Sequence, residues 1–222
     1  MSAASLVAHV TQQFIDHADE LTALDQAIGD GDHGINMRRG ALAIQARAAD
    51  VADMPLPAAL KTVGMLCIAT IGGASGPVFG TLLMTLAKEL PDTPTAPDLA
   101  RALHAAIAAI TRLGKAEVGQ KTLLDVLAPV QQLLAAGGDD LLARTRQCAI
   151  DSANATAHLD ALRGRAAFLG ERAMGHVDPG ARSVALAITA ICDTLAAHES
   201  AHDRAHDSAY DSAHEISPEP SA

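Results

Sequence analysis

The stretch LDQAIGDGDHGINMRRG, residues 24–40, runs from the connection after the first predicted helix into the second and concentrates acids and glycines. Asp25, Asp30 and Asp32 fall within eight positions, with Gly29 and Gly31 among them. Carboxylates this close repel one another unless a positive charge lies between them. Because glycine lacks a Cβ atom, the backbone can bend until the carboxylate oxygens converge. The predicted occupant is therefore a hard cation with oxygen ligands, Mg²⁺ or Ca²⁺.

An EF-hand calcium loop does not fit this stretch. A loop starting at Asp30 would need Asp or Asn at position 34 and Glu at position 41, where the chain has Gly34 and Ala41. Mg²⁺ that holds phosphates needs only a few carboxylates, because water and phosphate oxygens complete its octahedron. On spacing alone, a solvated acidic turn that caps the next helix remains the alternative interpretation.

Composition restricts the class of protein. The chain has 222 residues, of which 49% are hydrophobic and only 2% aromatic, and Ala and Leu dominate, which favours helices. Its net charge of −10 excludes the basic footprint of a nucleic-acid-binding protein. Three scattered cysteines without a CxxC motif indicate reduced thiols. No signal peptide or membrane span is expected, so we predict a cytoplasmic protein.

Apolar residues at helical spacing, separated by proline and glycine clusters, predict an all-α protein of eight helices without strands. The predicted helices cover residues 2–20, 36–50, 57–70, 77–90, 97–113, 121–136, 139–156 and 179–198. Residues 1–198 form a single domain in this prediction. Residues 199–222 repeat an Ala-His-Asp pattern with almost no large apolar residue, which indicates a disordered tail. His202, His206 and His214 have loose metal-ligand spacing there, but a solvated tail is the favoured interpretation.

Two further glycine loops are candidate ligand sites. GGASGP, residues 72–77, exposes backbone N–H groups before a predicted helix, which favours an anion, although an ordinary turn is equally compatible. GKAEVGQKT, residues 114–122, resembles a P-loop, but Gln120 separates the second glycine from the lysine and a helix precedes the loop. We therefore reject a P-loop fold and keep Gly119, Lys121 and Thr122 as candidate ligand contacts.

The last loop is GRAAFLGERAMGHVDPG, residues 164–180. Arg165 and Arg172 can pair with phosphate or with acids. A lone histidine such as His176 is more often structural than catalytic. Asp178 opens the last predicted helix, where it can act simply as the N-cap.

Four stretches resemble, in this order, the motifs of the nucleotide-binding L subunit of dihydroxyacetone kinase, the DhaL family: LDQAIGDGDHGINM, GGASGP, GKAEVGQKTLLD and GRAAFLGERAMGHVDPG. Each motif is weak alone, but the ordered set is specific. The resemblance covers about residues 6–198 and excludes the tail. It implies a barrel of eight antiparallel helices with the nucleotide at one end, in agreement with the independent helix count.

The resemblance also implies roles for individual residues. Asp25, Asp30 and Asp32 would hold two Mg²⁺ ions on the phosphates of bound ADP or ATP. The implied nucleotide contacts are His33, Gly34, Ile35, Asn36, Ala74, Ser75, Gly119, Thr122, Leu123, Arg165, Asp178, Pro179 and Gly180. The chain need not supply a nucleophile, because the attacking hydroxyl belongs to the substrate on a partner. Gln120 and Leu123 depart from the Asp-Lys-Thr-Met that the family often has here.

Members of the resembled family act in two modes. One exchanges ATP and is usually fused to a substrate-binding K domain. The other stands alone and keeps ADP, which a phosphohistidine M subunit of the phosphoenolpyruvate phosphotransferase system recharges. The length of this chain favours the standalone mode, with dihydroxyacetone on a separate K subunit. We expect a homodimer without nucleic-acid or membrane partners.

Two alternatives remain open at this stage. One is an ATP-exchanging kinase subunit for a related short sugar. The other is a nucleotide-loaded binding module that reports to a transcription regulator, as some relatives do. An assay of phosphoryl transfer with K and M partners separates a kinase subunit from a binding module.

Overall fold

The computed structural model describes residues 2–214, which form α-helices, loops and three short 3₁₀ segments. Within those residues there is no strand, so the predicted all-α class is confirmed. The helices are α1 (Ala3–Asp16), α2 (Ala18–Ile28), α3 (His33–Gln45), α4 (Leu56–Thr70), α5 (Ser75–Glu89), α6 (Ala96–Gly114), α7 (Leu124–Ala136), α8 (Leu141–Ala155) and α9 (Pro179–His214). The 3₁₀ segments are Ala48–Val51, Thr156–His158 and Arg165–Ala173.

The helices form a closed antiparallel ring. From α2 onward each helix packs against the next one along the chain, and α1 packs against α9 to close the ring. Helices α1 and α2 are successive segments separated at His17, whose backbone N–H still donates to the carbonyl of Gln13. Counting α1 and α2 as one member turns the nine α-helices of residues 2–214 into a ring of eight. The predicted eight-helix barrel is therefore confirmed.

Small side chains fill much of the ring interior. Alanine has the highest helix propensity and little bulk, so alanine-rich helices can pack closely. The fully buried alanines include Ala102, Ala106, Ala149, Ala153, Ala181 and Ala185. Phe14 and Phe79 meet edge to face with ring centroids 6.2 Å apart. The three cysteines are free thiols, and burial raises the pKa of Cys67 to about 12.

Connections alternate between the two ends of the barrel, because neighbouring helices are antiparallel. One end carries residues 29–32, 71–74, 115–123 and 159–178, and we name it the loop end. Helices α3, α5, α7 and α9 begin there. The opposite end, named the far end, carries the remaining connections and the start of α1. The four motifs that the sequence singles out thus meet at the loop end.

Several helix boundaries differ from the predicted ones. Helix α2 continues to Ile28, so Asp25 lies on a helix and not in a loop. Leu21, Asp25 and Ile28 recur at helical spacing on the buried side of α2, a pattern that the neighbouring acids and glycines obscured. Helix α3 begins at His33 rather than at Asn36, and α7 begins at Leu124 rather than at residue 121.

The last helix runs further than predicted. Helix α9 continues to His214, whereas the composition from residue 199 onward indicated disorder. Extending an existing helix needs no new nucleus, and alanine recurs every four residues in this segment, so helix formation costs little there. The division of the chain at residue 198 stays a prediction, and residues 215–222 lie outside the described residues.

Helix α9 also contains the one segment, among the residues that the structure describes, that is long and apolar enough to cross a membrane, Pro179–Ala201. Its residues Ala181, Ser183 and Val184 are buried inside the ring. Part of this apolar segment therefore lies in the core of the barrel.

Candidate functional site

Three carboxylates converge at the loop end. One oxygen each from Asp25, Asp30 and Asp32 lies within 4.8 Å of the others. Asp25 is 9% exposed on the last turn of α2, whereas Asp30 and Asp32 are exposed in the following loop. Gly29 permits this approach, because a Cβ atom there would lie 2.2 Å from Oδ1 of Asp25. Converging carboxylate oxygens are the donors that a hard cation prefers, so these residues fit Mg²⁺.

Arg165 approaches the acidic cluster from the 3₁₀ segment Arg165–Ala173. Its Nη1 makes an ion pair with Oδ2 of Asp30. A small apolar cluster, formed by Ile28, Ala161, Ala166 and Ala173, packs this segment against the end of α2. A guanidinium beside converging acids reduces their mutual repulsion, and the same group can bind phosphate.

His33, the first residue of α3, forms hydrogen bonds to three other helices at the loop end. Its backbone N–H donates to Oδ2 of Asp25 at 3.1 Å. Its ring contacts the hydroxyl of Ser75 on α5 through Nδ1 at 3.1 Å and that of Ser183 on α9 through Nε2 at 2.8 Å. Burial lowers the pKa of His33, although Asp25 and Asp32 act in the opposite direction. The ring is therefore neutral at pH 7, with one nitrogen donating and the other accepting.

Four helix N-termini face this end of the barrel, those of α3, α5, α7 and α9. The N-terminus of a helix carries unpaired backbone N–H groups and a partial positive charge. It therefore favours anions such as phosphate. The loop end thus combines groups that attract an anion with carboxylates that require a cation.

The GGASGP loop lies against the first turn of α3. A Cβ atom at Gly72 would lie 2.4 Å from Oδ1 of Asn36, and Gly73 has a φ of +63°, in the region that favours glycine. Ala74 is exposed and Ser75 begins α5. The structure therefore brings the predicted contacts Asn36, Ala74 and Ser75 to one place.

Asp125 holds the loop between α6 and α7. Its carboxylate, 7% exposed, accepts hydrogen bonds from the backbone N–H of Gly119 and, at 2.7 Å, from that of Thr122. Gly119 has a φ of +90°, which a residue with a side chain rarely adopts. This role of Asp125 was not predicted, although an acid in the first turn of a helix is a recognisable pattern in the sequence.

Lys121 has a different role from the ligand contact that the sequence predicted. Its side chain is buried, and its Nζ donates to the carbonyl of Thr156 at 2.6 Å. Burial lowers the pKa of Lys121, whereas Asp178 and Asp160 raise it. The backbone of Lys121 is left-handed, with a φ of +60°. Lys121 therefore supports the loop from inside, and the likeness to a P-loop lysine does not hold.

The turn at residues 178–180 opens α9 beside the same loop. Oδ2 of Asp178 accepts from the backbone N–H of Ala181 at 2.7 Å, so the predicted N-cap is confirmed. The backbone N–H of Asp178 donates to the hydroxyl of Thr156 at 2.9 Å. Burial raises the pKa of Asp178 to about 7. A Cβ atom at Gly180 would lie 4.0 Å from Leu123, so the two predicted borders of the ligand, Leu123 and the turn around Pro179, are adjacent.

Two predicted contacts lie on other faces of α3. A Cβ atom at Gly34 would lie 1.9 Å from the carbonyl oxygen of Ala18, so Gly34 is needed for the packing of α3 on α2. Ile35 is 59% exposed. Successive residues of the first turn of α3 therefore differ in role. His33 contacts the acidic cluster, Gly34 allows α3 to pack on α2, and Ile35 is exposed.

Two residues that were not predicted, Ser183 and Thr156, support the site from within. Ser183 is fully buried on α9 and meets His33, 150 residues away in the chain. The feature of the sequence that could have identified Ser183 is its hydroxyl among the apolar residues of α9. Thr156 is fully buried and joins Lys121 to Asp178, and no pattern in the sequence distinguishes it.

The sequence of this chain is similar to those of known proteins. The DAK2 domain family matches residues 27–193. The ADP-binding subunit DhaL of PEP-dependent dihydroxyacetone kinase 1 from Listeria innocua is 40% identical over 175 residues, which cover 78% of this chain and 86% of the relative. The corresponding DhaL subunit of Escherichia coli is 36% identical over 179 residues, covering 77% and 85% of the two chains. This chain belongs to the DhaL family.

Solved structures share the DhaL fold. The dihydroxyacetone kinase of C. freundii in its native form superposes with a TM-score of 0.69 at 25% identity. The same enzyme in complex with AMP-PNP and Mg²⁺ gives a TM-score of 0.71 at 24% identity. Each match covers 86% of this chain but only 34% and 33%, respectively, of the kinase chain. The DhaL barrel is therefore one part of that larger kinase.

Proposed function

We propose that this chain is the L subunit of a dihydroxyacetone kinase, which passes a phosphoryl group from a magnesium-bound nucleotide to dihydroxyacetone on a separate K subunit. The observation that carries the proposal is the convergence of three carboxylates at an end of the barrel where four helices begin. The relatives named ADP-binding subunits of phosphotransferases support it, because the chain covers 85–88% of the length of three of them.

In this proposal the acidic cluster holds the metal. Asp25, Asp30 and Asp32 would bind two Mg²⁺ ions, whose charge offsets that of the transferred phosphoryl group. The exposed carboxylates of Asp30 and Asp32 are accessible to such ions, and Asp25 is held by the backbone N–H of His33. Arg165 would exchange its ion pair with Asp30 for a contact with phosphate.

The remaining residues bind and orient the nucleotide. Ser75 and the backbone of the Gly72–Ala74 turn would bind phosphate at the start of α5. The neutral ring of His33 fixes the hydroxyl of Ser75, so that this group is positioned before the ligand arrives. The nucleotide would be bordered on its other side by Gly119, Thr122 and Leu123 together with the turn at residues 178–180. Phosphoryl transfer depends mainly on such positioning and on charge neutralisation.

We further propose that the nucleotide stays bound in the cytoplasm and is recharged by a phosphohistidine M subunit. The chain covers most of the length of relatives named PEP-dependent or PTS-dependent, but only 33% of the length of L-erythrulose 1-kinase from Mycolicibacterium smegmatis, at 35% identity. Because this relative is named an erythrulose kinase, a related short ketose is the alternative acceptor in this proposal.

The test is to incubate the ADP-loaded protein with labelled free ATP, Mg²⁺ and a K subunit, and to omit any M subunit. We expect one slow turnover at most, because the nucleotide is enclosed by four loops and its release is slow. Rapid and repeated turnover would contradict the cofactor proposal and favour an ATP-exchanging kinase. Mass spectrometry of the nucleotide released on denaturation identifies the resident species. Replacing dihydroxyacetone by erythrulose in the same assay separates the two acceptors.

A further inference from the structure

A buried serine lies behind the histidine of the candidate site. Ser183 of α9 is fully buried, and its hydroxyl oxygen lies 2.8 Å from Nε2 of His33. On the other side of the ring, Nδ1 lies 3.1 Å from the hydroxyl oxygen of Ser75. Ser75 is partly exposed and is the first residue of α5, whose N-terminus has no side-chain cap. The imidazole therefore connects a hydroxyl in the core to a hydroxyl at the start of a helix.

Burial determines the direction of the hydrogen bond between Ser183 and His33. Among the residues that the structure describes, Nε2 of His33 is the one hydrogen-bond partner of the Ser183 hydroxyl. A buried O–H group without an acceptor costs free energy, so Ser183 donates to Nε2. The carbonyl of Pro179 also lies near the ring. This carbonyl accepts from the backbone N–H of Ser183, one turn further along α9, so it is satisfied without a proton from the ring.

The bond from Ser183 fixes the tautomer of the neutral ring. A neutral imidazole has one N–H group, and the nitrogen that accepts a hydrogen bond does not carry it. With Nε2 as the acceptor, the proton is on Nδ1, and Nδ1 donates to the oxygen of Ser75. Because Ser75 accepts this bond, its own O–H group is free to point away from the ring. An O–H group in that direction can donate to an anionic oxygen at the start of α5.

We propose that Ser183 is a positioning residue for phosphate binding, which acts through His33 to keep the O–H group of Ser75 available as a donor. This inference rests on the proposed function in one respect, that the ligand of Ser75 is a phosphate of the nucleotide. In the opposite tautomer Nε2 would carry the proton and Ser75 would donate to Nδ1. The hydroxyl of Ser75 would then present only lone pairs to the phosphate oxygens, which are themselves acceptors.

The first experiment determines the tautomer in the ligand-free full chain. Two-bond proton–nitrogen NMR spectra of protein with ¹⁵N-labelled histidine distinguish the tautomers, because protonated and unprotonated ring nitrogens differ widely in chemical shift. Loss of signals in His33→Gln assigns this ring. We expect the proton on Nδ1 in the parent protein, and Ser183→Ala should shift the ring towards the Nε2–H form, which the carbonyl of Pro179 then favours. A parent protein with the proton on Nε2 would overturn the proposal, and this measurement needs no variant of Ser183.

The second experiment measures the affinity of the ligand-free full chain for ADP with Mg²⁺ by calorimetry. Loss of one oriented hydrogen bond weakens binding roughly 3–10-fold, and we expect this for both Ser183→Ala and Ser75→Ala. Because Ser183 acts through Ser75, the double variant should bind about as weakly as Ser75→Ala alone. The matched control is Thr11→Ala, which removes a buried hydroxyl that donates within α1 and should keep the parent affinity.

The double variant separates positioning from a merely structural role. Additive losses would overturn the proposal, because they would mean that Ser183 acts independently of the hydroxyl of Ser75. Parent affinity for ADP in Ser183→Ala would also contradict it. Absence of ADP binding by the parent chain would instead refute the proposed function, and the tautomer of His33 would still be decided by the NMR spectrum of the ligand-free protein.

Discussion

Two loops border the candidate site, residues 29–32 and residues 115–123, and they are stabilised in opposite ways. The second loop is supported by two charged side chains, since Asp125 at the start of α7 accepts two backbone hydrogen bonds and the buried Lys121 donates to Thr156. In the first loop Asp30 and Asp32 are exposed and converge with a third carboxylate, and Arg165 pairs with Asp30.

The contrast between the two loops indicates which part of the site a ligand completes. The 115–123 loop is held by hydrogen bonds of Asp125 and Lys121 within the protein, so its shape does not depend on a bound group. The 29–32 loop brings like charges together, and a cation would relieve their repulsion. Substitutions in the first loop should therefore alter ligand binding, whereas substitutions that remove the supports of the second should alter stability.

The largest effect is expected for Asp30→Ala. This variant should lose bound nucleotide, and with it the stabilisation that a ligand gives the native state, roughly 4 kcal/mol at a thousandfold excess over Kd. The ligand-free protein should keep its stability, because one of three mutually repelling carboxylates is removed. Mass spectrometry and urea unfolding of loaded and ligand-free protein measure the two effects. Asp92→Ala, an exposed acid at the far end, is the control. Stoichiometric nucleotide in Asp30→Ala would refute the role of this acid.

Asp125→Ala should give the opposite result. It removes the acceptor for Gly119 and Thr122 and leaves two backbone N–H groups without their partner, so the ligand-free protein should lose about 3 kcal/mol of unfolding free energy. Asp125→Asn, which keeps one acceptor oxygen, should lose less. Urea unfolding of ligand-free protein provides the measurement. If Asp125→Ala and Asp30→Ala are equally stable without ligand, the distinction between the two loops is wrong.

Asp178 makes the stability of this side of the site depend on pH. Its pKa is raised by burial to about 7 from an ordinary 3.8, so the native state binds a proton that the unfolded state releases between about pH 4 and pH 7. The contribution of Asp178 to stability therefore falls as pH rises through this range and is constant above it. Asp178→Asn removes this titration, so its stability relative to the parent should increase from pH 4 to pH 7.

Urea unfolding of both ligand-free proteins at pH 5 and pH 8 checks this expectation. The exposed Asp139→Asn is the matched control and should follow the parent protein at both values. A constant difference between parent and Asp178→Asn across the range would mean that Asp178 is ionised in the native state throughout. The N-cap itself is retained in the variant, because asparagine also accepts from backbone N–H groups.

The smallest effect is expected for deletion of residues 201–222. The segment lies beyond all four motifs, which end by Gly180, and α9 reaches it only after leaving the loop end. Phosphoryl transfer with K and M partners should change little, and the comparison of the two loops should be unaffected. A several-fold loss of transfer would show that this segment contacts a partner.

The sequence predicted the acidic loop better than the loop that Asp125 supports. Asp25, Asp30 and Asp32 are close in the chain, so their convergence could be inferred from local spacing and the glycines between them. The bond between His33 and Ser183 joins positions 150 residues apart, and no local pattern contains that information. Lys121 was misread for a related reason, since its burial depends on Thr156 from the end of α8.

The helix count was predictable because alanine, leucine and the proline clusters act locally. The helix boundaries were less predictable from the sequence. The start of α3 at His33 depends on tertiary contacts of its first residues, and the extension of α9 to His214 depends on the helix that precedes it. Propensity arguments treat each segment alone and miss both effects.

The closure of the ring by α1 and α9 has a consequence for the order of the helices. Ser5 and His9 line the same groove as Ala197 and His198, so the beginning and the end of the barrel lie side by side. In a chain shortened to end near residue 201, a short linker from there to α1 would allow the chain to be reopened in the α7–α8 connection at the far end, and all four loops of the candidate site would remain uncut. Such a circular permutant should still fold into the same barrel and retain its ligand, because the ring fixes which helices are neighbours and leaves the starting point free.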